Sequence, residues 1–470
     1  MGHATLVFFL VIRLSRELVP TSVFALLLTE IVLILACYSA ALFIFLTIEP
    51  SVYLFDEGNY WKLLLVMGCI VASLYFQDLY ADIRLWSRIL LVQQVCLAVG
   101  SALLILAMLG YVSSDYLLPR SVVVFGSLTV VIVVPAWRMF FWKFGILVFA
   151  RERVLLAGNS PLLAKAAKEV LTRPQLGYSI LGYLREGEPV DFPVSCLGMI
   201  RDLSSISKSK KPARLVIGTL EPHDALMSAE LLELRFAGIA VDDVADSYEA
   251  VAQRVFIGDV QIPSLTFTAE LYPSQHALAI QNVYSFLIAL IGLCSFLPLM
   301  LIIALAVKLT SEGPILYRQQ RTGLRGKVFT LYKFRSMYED AEQSTGPVYA
   351  SKGDRRTTSV GRFLRNLRLD ELPQFWNVVL GDMSIVGPRP ERPQFVEDYA
   401  AKIPYYRERL IVKPGITGWA QINHKYSSSL DDAKTKLEYD FYYIKHLSPA
   451  LDAYIIFHTL KVMLLQRGAQ

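Results

Sequence analysis

Ile280–Val307 reads IQNVYSFLIALIGLCSFLPLMLIIALAV, an apolar run without a charged residue and with one proline, Pro298. A straight helix of that length would reach roughly 40 Å, enough to cross the hydrocarbon core of a bilayer. Pro298 removes a backbone hydrogen bond and favours a kink. Beyond Lys308 the chain is densely basic, with Arg318, Arg321, Arg325, Lys327, Lys333 and Arg335, and segments of that kind stay on the cytoplasmic side. The run is therefore expected to enter the membrane, bend at Pro298 and leave by the same face.

What precedes it points the same way. In a chain of 470 residues, 54% hydrophobic and of positive mean hydropathy, a membrane protein of more than one domain is expected. Four membrane-length segments lie near Val23–Ile48, Trp61–Phe76, Ile89–Gly110 and Val122–Phe141. The leader ATLVFFLVIRLSREL is interrupted by Arg13, Arg16 and Glu17 and reads as interfacial rather than as a cleaved signal. Arg13, Arg16, Arg84, Arg88, Arg138, Lys143, Arg151 and Arg153 mark one side, and Glu49, Asp56, Glu57 and Asp115 the other. The positive-inside rule then places both ends of this region, 1–148, in the cytoplasm, and a fifth crossing would carry everything after Lys308 outside. Glu30 is an acid within the first span, expected to reach the interface or a bundle partner. A transport relay would need a second intramembrane charge, and none is counted. Gln93 and Gln94 are expected to bond between helices.

From Arg151 strands and helices alternate. RVLLAGNS reads as a buried strand and turn, PLLAKAAKEVL as a helix opening on proline, ARLVIGTL as a second strand, and AELLELRFAGIAVDDV as helix, turn and strand. The Lys208–Lys211 run reads as a solvated loop. This is an α/β, Rossmann-like domain over about 149–270. Its phosphate loop departs from GxGxxG: Gly158 stands at the first glycine, but Ser160 and Leu163 occupy the second and third. Asn159 and Ser160 can still donate to a ligand, yet a structural or regulatory domain is favoured, with weak or no NAD binding.

The chemistry is expected in Arg362–Glu391, RFLRNLRLDELPQFWNVVLGDMSIVGPRPE. Leu372, Phe375, Trp376 and Val379 recur at helical spacing, Gly381 stops the helix, and Pro373 falls in its first turn. Asp370 would then be the N-cap, facing free backbone donors and the positive end of the helix dipole. With Arg362, Arg365 and Arg368 nearby it would stay ionised, and the same surroundings attract phosphate. An Asp-Glu pair alone is more often an ordinary cap beside a surface Glu. Lys333 and Arg335 flank Phe334 on a strand, VFTLYKFRSM, and would share a face. Arg389 stands between two prolines that stiffen its loop. Each cation taken singly reads as a surface charge; clustered, they suit phosphate.

Lys333-Phe334-Arg335-Ser336-Met337, Leu369-Asp370-Glu371-Leu372-Pro373-Gln374, Asn377-Val378, Gly387-Pro388-Arg389-Pro390 and Lys413-Pro414-Gly415-Ile416-Thr417-Gly418 occur in that order. From about residue 275 to the C-terminus the chain resembles the bacterial sugar transferases, monotopic polyprenyl-phosphate glycosyl-1-phosphate transferases that begin exopolysaccharide and O-antigen assembly. Four spans and a soluble domain (CoA-binding-like) before it resemble the long-form members. The resemblance implies a membrane protein, mostly α with an α/β middle domain, and an α-rich catalytic domain over 275–470 with a re-entrant helix at about 280–307. It implies a UDP-sugar and polyprenyl phosphate as substrates, UMP as product, and Asp370 as nucleophile. Glu371 would be a Mg²⁺ ligand, and Lys333, Arg335, Arg365 and Arg389 phosphate contacts. The family often has Ser-Pro at the bend, whereas Leu297 precedes Pro298 here.

Other classes fit less well. A non-catalytic scaffold or nucleotide-sensing regulator would not need the full charged set, and an exporter would need more spans. Nucleic acid would suit the basic segment, but no accompanying motif is present. Cys37, Cys69, Cys96, Cys196 and Cys294 form no CxxC pair, so neither zinc nor a disulfide framework is indicated. Leu451–Leu465 reads either as an amphipathic helix on the bilayer or as one packed on the soluble core. The expected setting is the bacterial cytoplasmic membrane, in contact with its lipids, with the catalytic domain on the cytoplasmic face. The sequence admits a homo-oligomer and does not name the sugar.

Overall fold

The computed structural model describes residues 21–46, 49–80, 87–142, 152–173, 176–187, 191–218, 225–257, 272–338, 356–424 and 429–464. The expected interfacial leader lies outside these residues, as do Arg84, Lys143, Arg151 and the end of the basic segment at 339–355. The chain divides into two units, Met1–Ser247 and Tyr248–Gln470.

In the first unit, α1 (Thr21–Phe45), α2 (Tyr60–Phe76), α3 (Arg88–Val112) and α4 (Arg120–Phe140) stand where the four apolar segments predict them. Three are long and apolar enough to cross a membrane, and α2, at 17 residues, lies at the lower limit of a span. They share a core of Ile34, Tyr38, Leu42, Ile70, Leu74, Val95, Val99 and Val130. Gly126 is small because the Tyr38 ring lies against it: a Cβ there would come within 2.6 Å of that ring. Tyr38 OH and Ser127 Oγ share a hydrogen bond of 2.7 Å.

Glu30 finds its partner inside the bundle, and it is a residue counted in the sequence as a loop cation. Arg138 donates Nε to Glu30 Oε1 at 2.6 Å and Nη2 to Oε2 at 2.9 Å, while Nη1 reaches Leu79 O at 2.6 Å. Tyr80 OH donates to Glu30 Oε2 at 2.6 Å. A second buried charge is thus present after all, but it neutralises Glu30 in a forked pair. Removing one partner of such a pair typically destabilises by about 3–5 kcal/mol, so the pair reads as a staple across α1, α4 and the turn that follows α2. Gln93 and Gln94 have no hydrogen-bond partner among the described residues, and Gln93 is exposed, contrary to the bridging role expected of them.

The middle of the chain forms a five-stranded parallel sheet in the order β3-β2-β1-β4-β5. The strands are β1 (Glu152–Ala157), β2 (Tyr178–Arg185), β3 (Cys196–Met199), β4 (Arg214–Ile217) and β5 (Ala240–Asp243). The helices are α5 (Pro161–Thr172), α6 (Leu203–Lys210), α7 (Ala225–Phe236) and α8 (Val244–Ala252). The sequence strands are β1, β4 and β5; β2 and β3 complete the α/β domain. Lys208 and Lys210 lie in the last turn of α6 rather than in a loop, where cations favour the negative end of the helix dipole. Gly158, at φ +116°, sits so close to Gly218 that a Cβ would come within 2.3 Å of its carbonyl. The side chains offered for a ligand are engaged locally. Asn159 bonds Glu186 O, and Ser160 Oγ caps α5 by accepting from Leu162 N at 3.3 Å.

In the second unit the apolar run is a single helix, α9 (Gln275–Thr310), of 36 residues with Pro298 inside it. One stripe of α9 packs on the unit along its length. Near the start, Gln281 Nε2 donates to Tyr443 OH at 2.6 Å and to Asp452 Oδ2 at 2.8 Å, and Ser285 Oγ meets Ser384 Oγ at 2.8 Å. In the middle, Phe296 stacks on Phe375 with ring centroids 6.4 Å apart. Near the end, Ile303 and Val307 join Phe334 and Leu364 in a core cluster. The opposite face, with Ile291, Leu301, Ile302, Leu305 and Leu309, is exposed.

On this helix rest the hairpin β6 (Leu316–Thr322) and β7 (Val328–Phe334), the helices α10 (Ser359–Asn366) and α11 (Gln374–Val379), and β8 (Ser384–Val386) with its parallel partner β9 (Gly415–Thr417). α12 (Pro393–Ala400), α13 (Trp419–Asn423), α14 (Leu430–Lys445) and α15 (Pro449–Leu464) complete the unit. α15 buries Leu451, Asp452, Ile455 and Lys461 against the unit and leaves Phe457 and Leu460 exposed.

Candidate active site

α10 starts under Thr358, whose Oγ1 accepts from Gly361 N at 2.9 Å. Gly361 crosses the end of the hairpin so closely that a Cβ would lie 2.0 Å from Ser336 O, so no other residue fits there. Arg368, at φ +54°, reverses the chain into the 3₁₀ turn Leu369–Glu371. Asp370 is the middle residue of that turn and only 8% exposed. It is not a helix cap. α11 begins at Gln374, Pro373 takes the N-cap position, and no side chain caps it. Proline has no N–H to satisfy, so the helix can start one turn later than its apolar spacing suggests and leave the acid pair free to face β7.

Glu371 is the hub. Its Oε1 accepts from Lys333 Nζ at 2.7 Å and from Arg389 Nη2 at 3.0 Å. Burial opposes its charge, but Lys333, Arg389 and Arg368 outweigh burial and hold its carboxyl well below the usual range. Asp370 goes the other way. Burial, reinforced by the Glu371 charge, outweighs Lys333, Arg365 and Arg389 and raises its pKa above the ordinary aspartate value. This corrects the expectation that surrounding cations alone decide its state. Burial likewise lowers the Lys333 pKa, against the pull of Glu371. Four cations, Lys333, Arg365, Arg368 and Arg389, act on these two carboxylates, so the cluster carries surplus positive charge for an anion.

The structure thus brings together Asp370, Glu371, Lys333, Arg365 and Arg389. Arg335 is held elsewhere. β7 ends at Phe334, so strand alternation does not carry Arg335 to the Lys333 face. Its Nη2 donates to Ser311 O at 2.7 Å, Ser311 Oγ at 2.8 Å and Val307 O at 3.2 Å. A buried guanidinium there meets the last carbonyls and the negative dipole end of α9. Pro298 lies within α9, well before this cluster in sequence.

Several residues that shape the site were not singled out as such in the sequence. Asn377 is fully buried and stitches α11 to β7: Nδ2 donates to Thr330 O at 2.7 Å and Oδ1 accepts from Tyr332 N at 3.1 Å. It fixes the strand that presents Lys333 against the helix that follows Glu371. Arg409 and Asp440 form a buried pair, 2.9 Å from Nε to Oδ2. The one sequence signal for Asp440 is an acid inside the aromatic run Tyr439–Tyr443. Lys413 and Pro414 lead into β9, which starts at Gly415, and Gly387 and Gly415 are small because the two backbones touch there.

An apolar helix beneath a buried acid pair and a cation cluster that suits an anion defines a membrane-associated protein. Comparison with known proteins gives the family. The model described as Bacterial sugar transferase matches residues 276–466. A UDP-glucose:undecaprenyl-phosphate glucose-1-phosphate transferase of Klebsiella pneumoniae is 31% identical over 451 residues, 92% of this chain and 95% of that protein. One of the same name from Xanthomonas campestris pv. campestris is 34% identical over 68% of each chain. A UDP-N-acetylgalactosamine-undecaprenyl-phosphate N-acetylgalactosaminephosphotransferase of Aeromonas hydrophila is 43% identical over 240 residues, 51% of this chain and 56% of that protein. The chain belongs to the bacterial sugar transferase family.

Proposed function

We propose that this chain transfers a sugar-1-phosphate from a UDP-sugar to undecaprenyl phosphate, releasing UMP, as the first step in building a surface polysaccharide. The observation that carries the chemistry is the buried Asp370-Glu371 pair with Lys333 and Arg389 locked on Glu371. Glu371 stays charged and holds both cations in place. Asp370, when ionised, has an unshared nucleophilic oxygen beside them. In the proposed route an Asp370 oxygen bonds the sugar-bearing phosphorus while its bond to the UMP oxygen breaks, and UMP leaves. A lipid phosphate oxygen then attacks the same phosphorus and frees Asp370. Dividing the transfer in this way replaces one hard step by two easier ones. Arg389, Lys333 and Arg365 neutralise charge on the transferring group, which is most of what phosphoryl transfer needs.

Mg²⁺ suits the residues present. It usually takes one or two carboxylates and completes its shell with phosphate and water. Asp370 and Glu371, whose Oε1 takes both Lys333 and Arg389, would meet that need. Among the described residues no group of three or more His, Cys, Asp or Glu could hold a metal by itself, so the phosphates would supply the remaining ligands. The ion's chemistry would be neutralisation of the pyrophosphate.

A re-entrant α9 and a cytoplasmic catalytic domain belong to the same reading. Gln281 and Val307, at opposite ends of the helix, both bond residues of one unit, which favours both ends lying on one side. A cysteine at position 311, in a chain lacking native cysteines, should be labelled only after the cells are permeabilised. Labelling in intact cells would place this unit outside and end the re-entrant reading.

The names of the relatives divide between glucose and N-acetylgalactosamine, so the test is a panel of UDP-sugars. Purified protein with undecaprenyl phosphate and Mg²⁺ should release UMP from at least one. Release from none would reject the enzyme in favour of a scaffold.

A further inference from the structure

Residues 387–391 form the loop that presents Arg389, and its backbone acceptors are filled one after another. Pro388 O accepts from Gly415 N at 3.0 Å, Arg389 O from Arg409 Nη2 at 3.0 Å, Pro390 O from Arg321 Nη1 at 2.9 Å, and Glu391 O from Thr322 N at 2.9 Å. Pro388 and Pro390 fix φ on either side. Of these four donors, Arg409 alone grips the residue that carries the guanidinium. It is itself held on every arm: Nε and Nη2 lie 2.9 and 2.8 Å from Asp440 Oδ2, and Nη1 donates to Tyr406 OH at 3.0 Å. Arg409 is 5% exposed and Asp440 2%.

A buried ion pair is weak evidence for stability, because desolvation offsets much of its attraction. Its geometry is better evidence for placement. Arg389 reaches Glu371 from a loop, and a guanidinium on a loop loses more freedom on binding phosphate than one already aimed. We infer that Arg409, oriented by Asp440 and Tyr406, is a positioning residue that aims Arg389 at the sugar-bearing phosphate. The inference rests on the transferase reading above. Its part in this reading is to act through the Arg389 backbone. Lysine in its place keeps one positive charge for Asp440 but cannot serve Asp440, Tyr406 and Arg389 O together.

The test is a double-mutant cycle on UMP release by the full-length protein, using the UDP-sugar the wild type prefers. Arg409→Lys should lower kcat/KM about tenfold when Arg389 is present and less than twofold in an Arg389→Met background, since a residue acting through Arg389 has nothing left to aim. Equal losses in both backgrounds would make Arg409 a general structural staple and overturn the inference. So would an undiminished Arg409→Lys single variant, or an Arg389→Met variant with normal activity. Should Arg409→Lys not fold, Asp440→Asn enters the same cycle with the same expected pattern. Failure of the transferase reading looks different, because the wild type would then release no UMP.

Discussion

Asp370→Asn is expected to lower UMP release by a factor on the order of 10⁴ or more, the scale seen when a covalent nucleophile is removed. Asparagine fits the space of the buried carboxylate in the 3₁₀ turn, and the Lys333–Glu371–Arg389 contacts do not pass through Asp370. The variant should therefore fold, insert and elute as the wild type does. A second arm separates covalent from direct transfer. Wild-type protein given UDP-sugar without lipid acceptor should release a burst of one UMP per active chain, and Asp370→Asn none. A variant with near-normal turnover would remove Asp370 from the chemistry. Turnover lost without any wild-type burst would leave Asp370 as an electrostatic or base residue in a direct transfer.

The parts of this site legible in the sequence are those written in short, local motifs. Lys333 and Arg389 lie on the strand and in the proline-bracketed loop that their motifs mark, whereas the Asp370-Glu371 pair sits in a 3₁₀ turn and not at the helix cap expected of it. Periodicity misled where the surroundings of the chain change. Leu372, Phe375, Trp376 and Val379 look like the inward stripe of a helix in water, yet α11 buries Gln374, Asn377 and Val378 and leaves Trp376 49% exposed. Phe375 lies against α9, where Gly292 makes room for its ring. On a membrane-associated unit an apolar outer face has a favourable place to go, so hydrophobicity alone does not mark the core. Alternation failed at Arg335 because the strand stops one residue earlier. In the middle domain β2 carries Gly182, with φ +148° in a strand whose register with β1 shifts between Val154 and Leu155, so the regular pattern of a strand is broken. Long-range pairs were invisible for a simpler reason. Glu30 with Arg138, and Arg409 with Asp440, are set by which helices pack together, and no spacing within either segment encodes the partner.

Lys333→Met tests the electrostatics of the centre and carries the second large expected effect. Removing one donor aimed at developing charge lowers turnover by about 10² to 10³. The pH profile says more than the rate. In the wild type UMP release needs Asp370 ionised and Lys333 protonated, giving a bell. Asp370 has a raised pKa, so activity should fall with acid at a higher pH than an ordinary aspartate would set. Lys333 has a lowered pKa, so the alkaline limb should come earlier than for a solvated lysine. Methionine deletes the group behind the alkaline limb and also removes the cation that acts most strongly to keep Asp370 ionised. The alkaline limb should therefore flatten while the acid limb moves to still higher pH. Arg389 still neutralises Glu371 in the variant, so the turn should keep its place. A Lys333→Met profile with both limbs where the wild type has them would mean that neither limb reports this pair, and Lys333 would be left as a structural partner of Glu371.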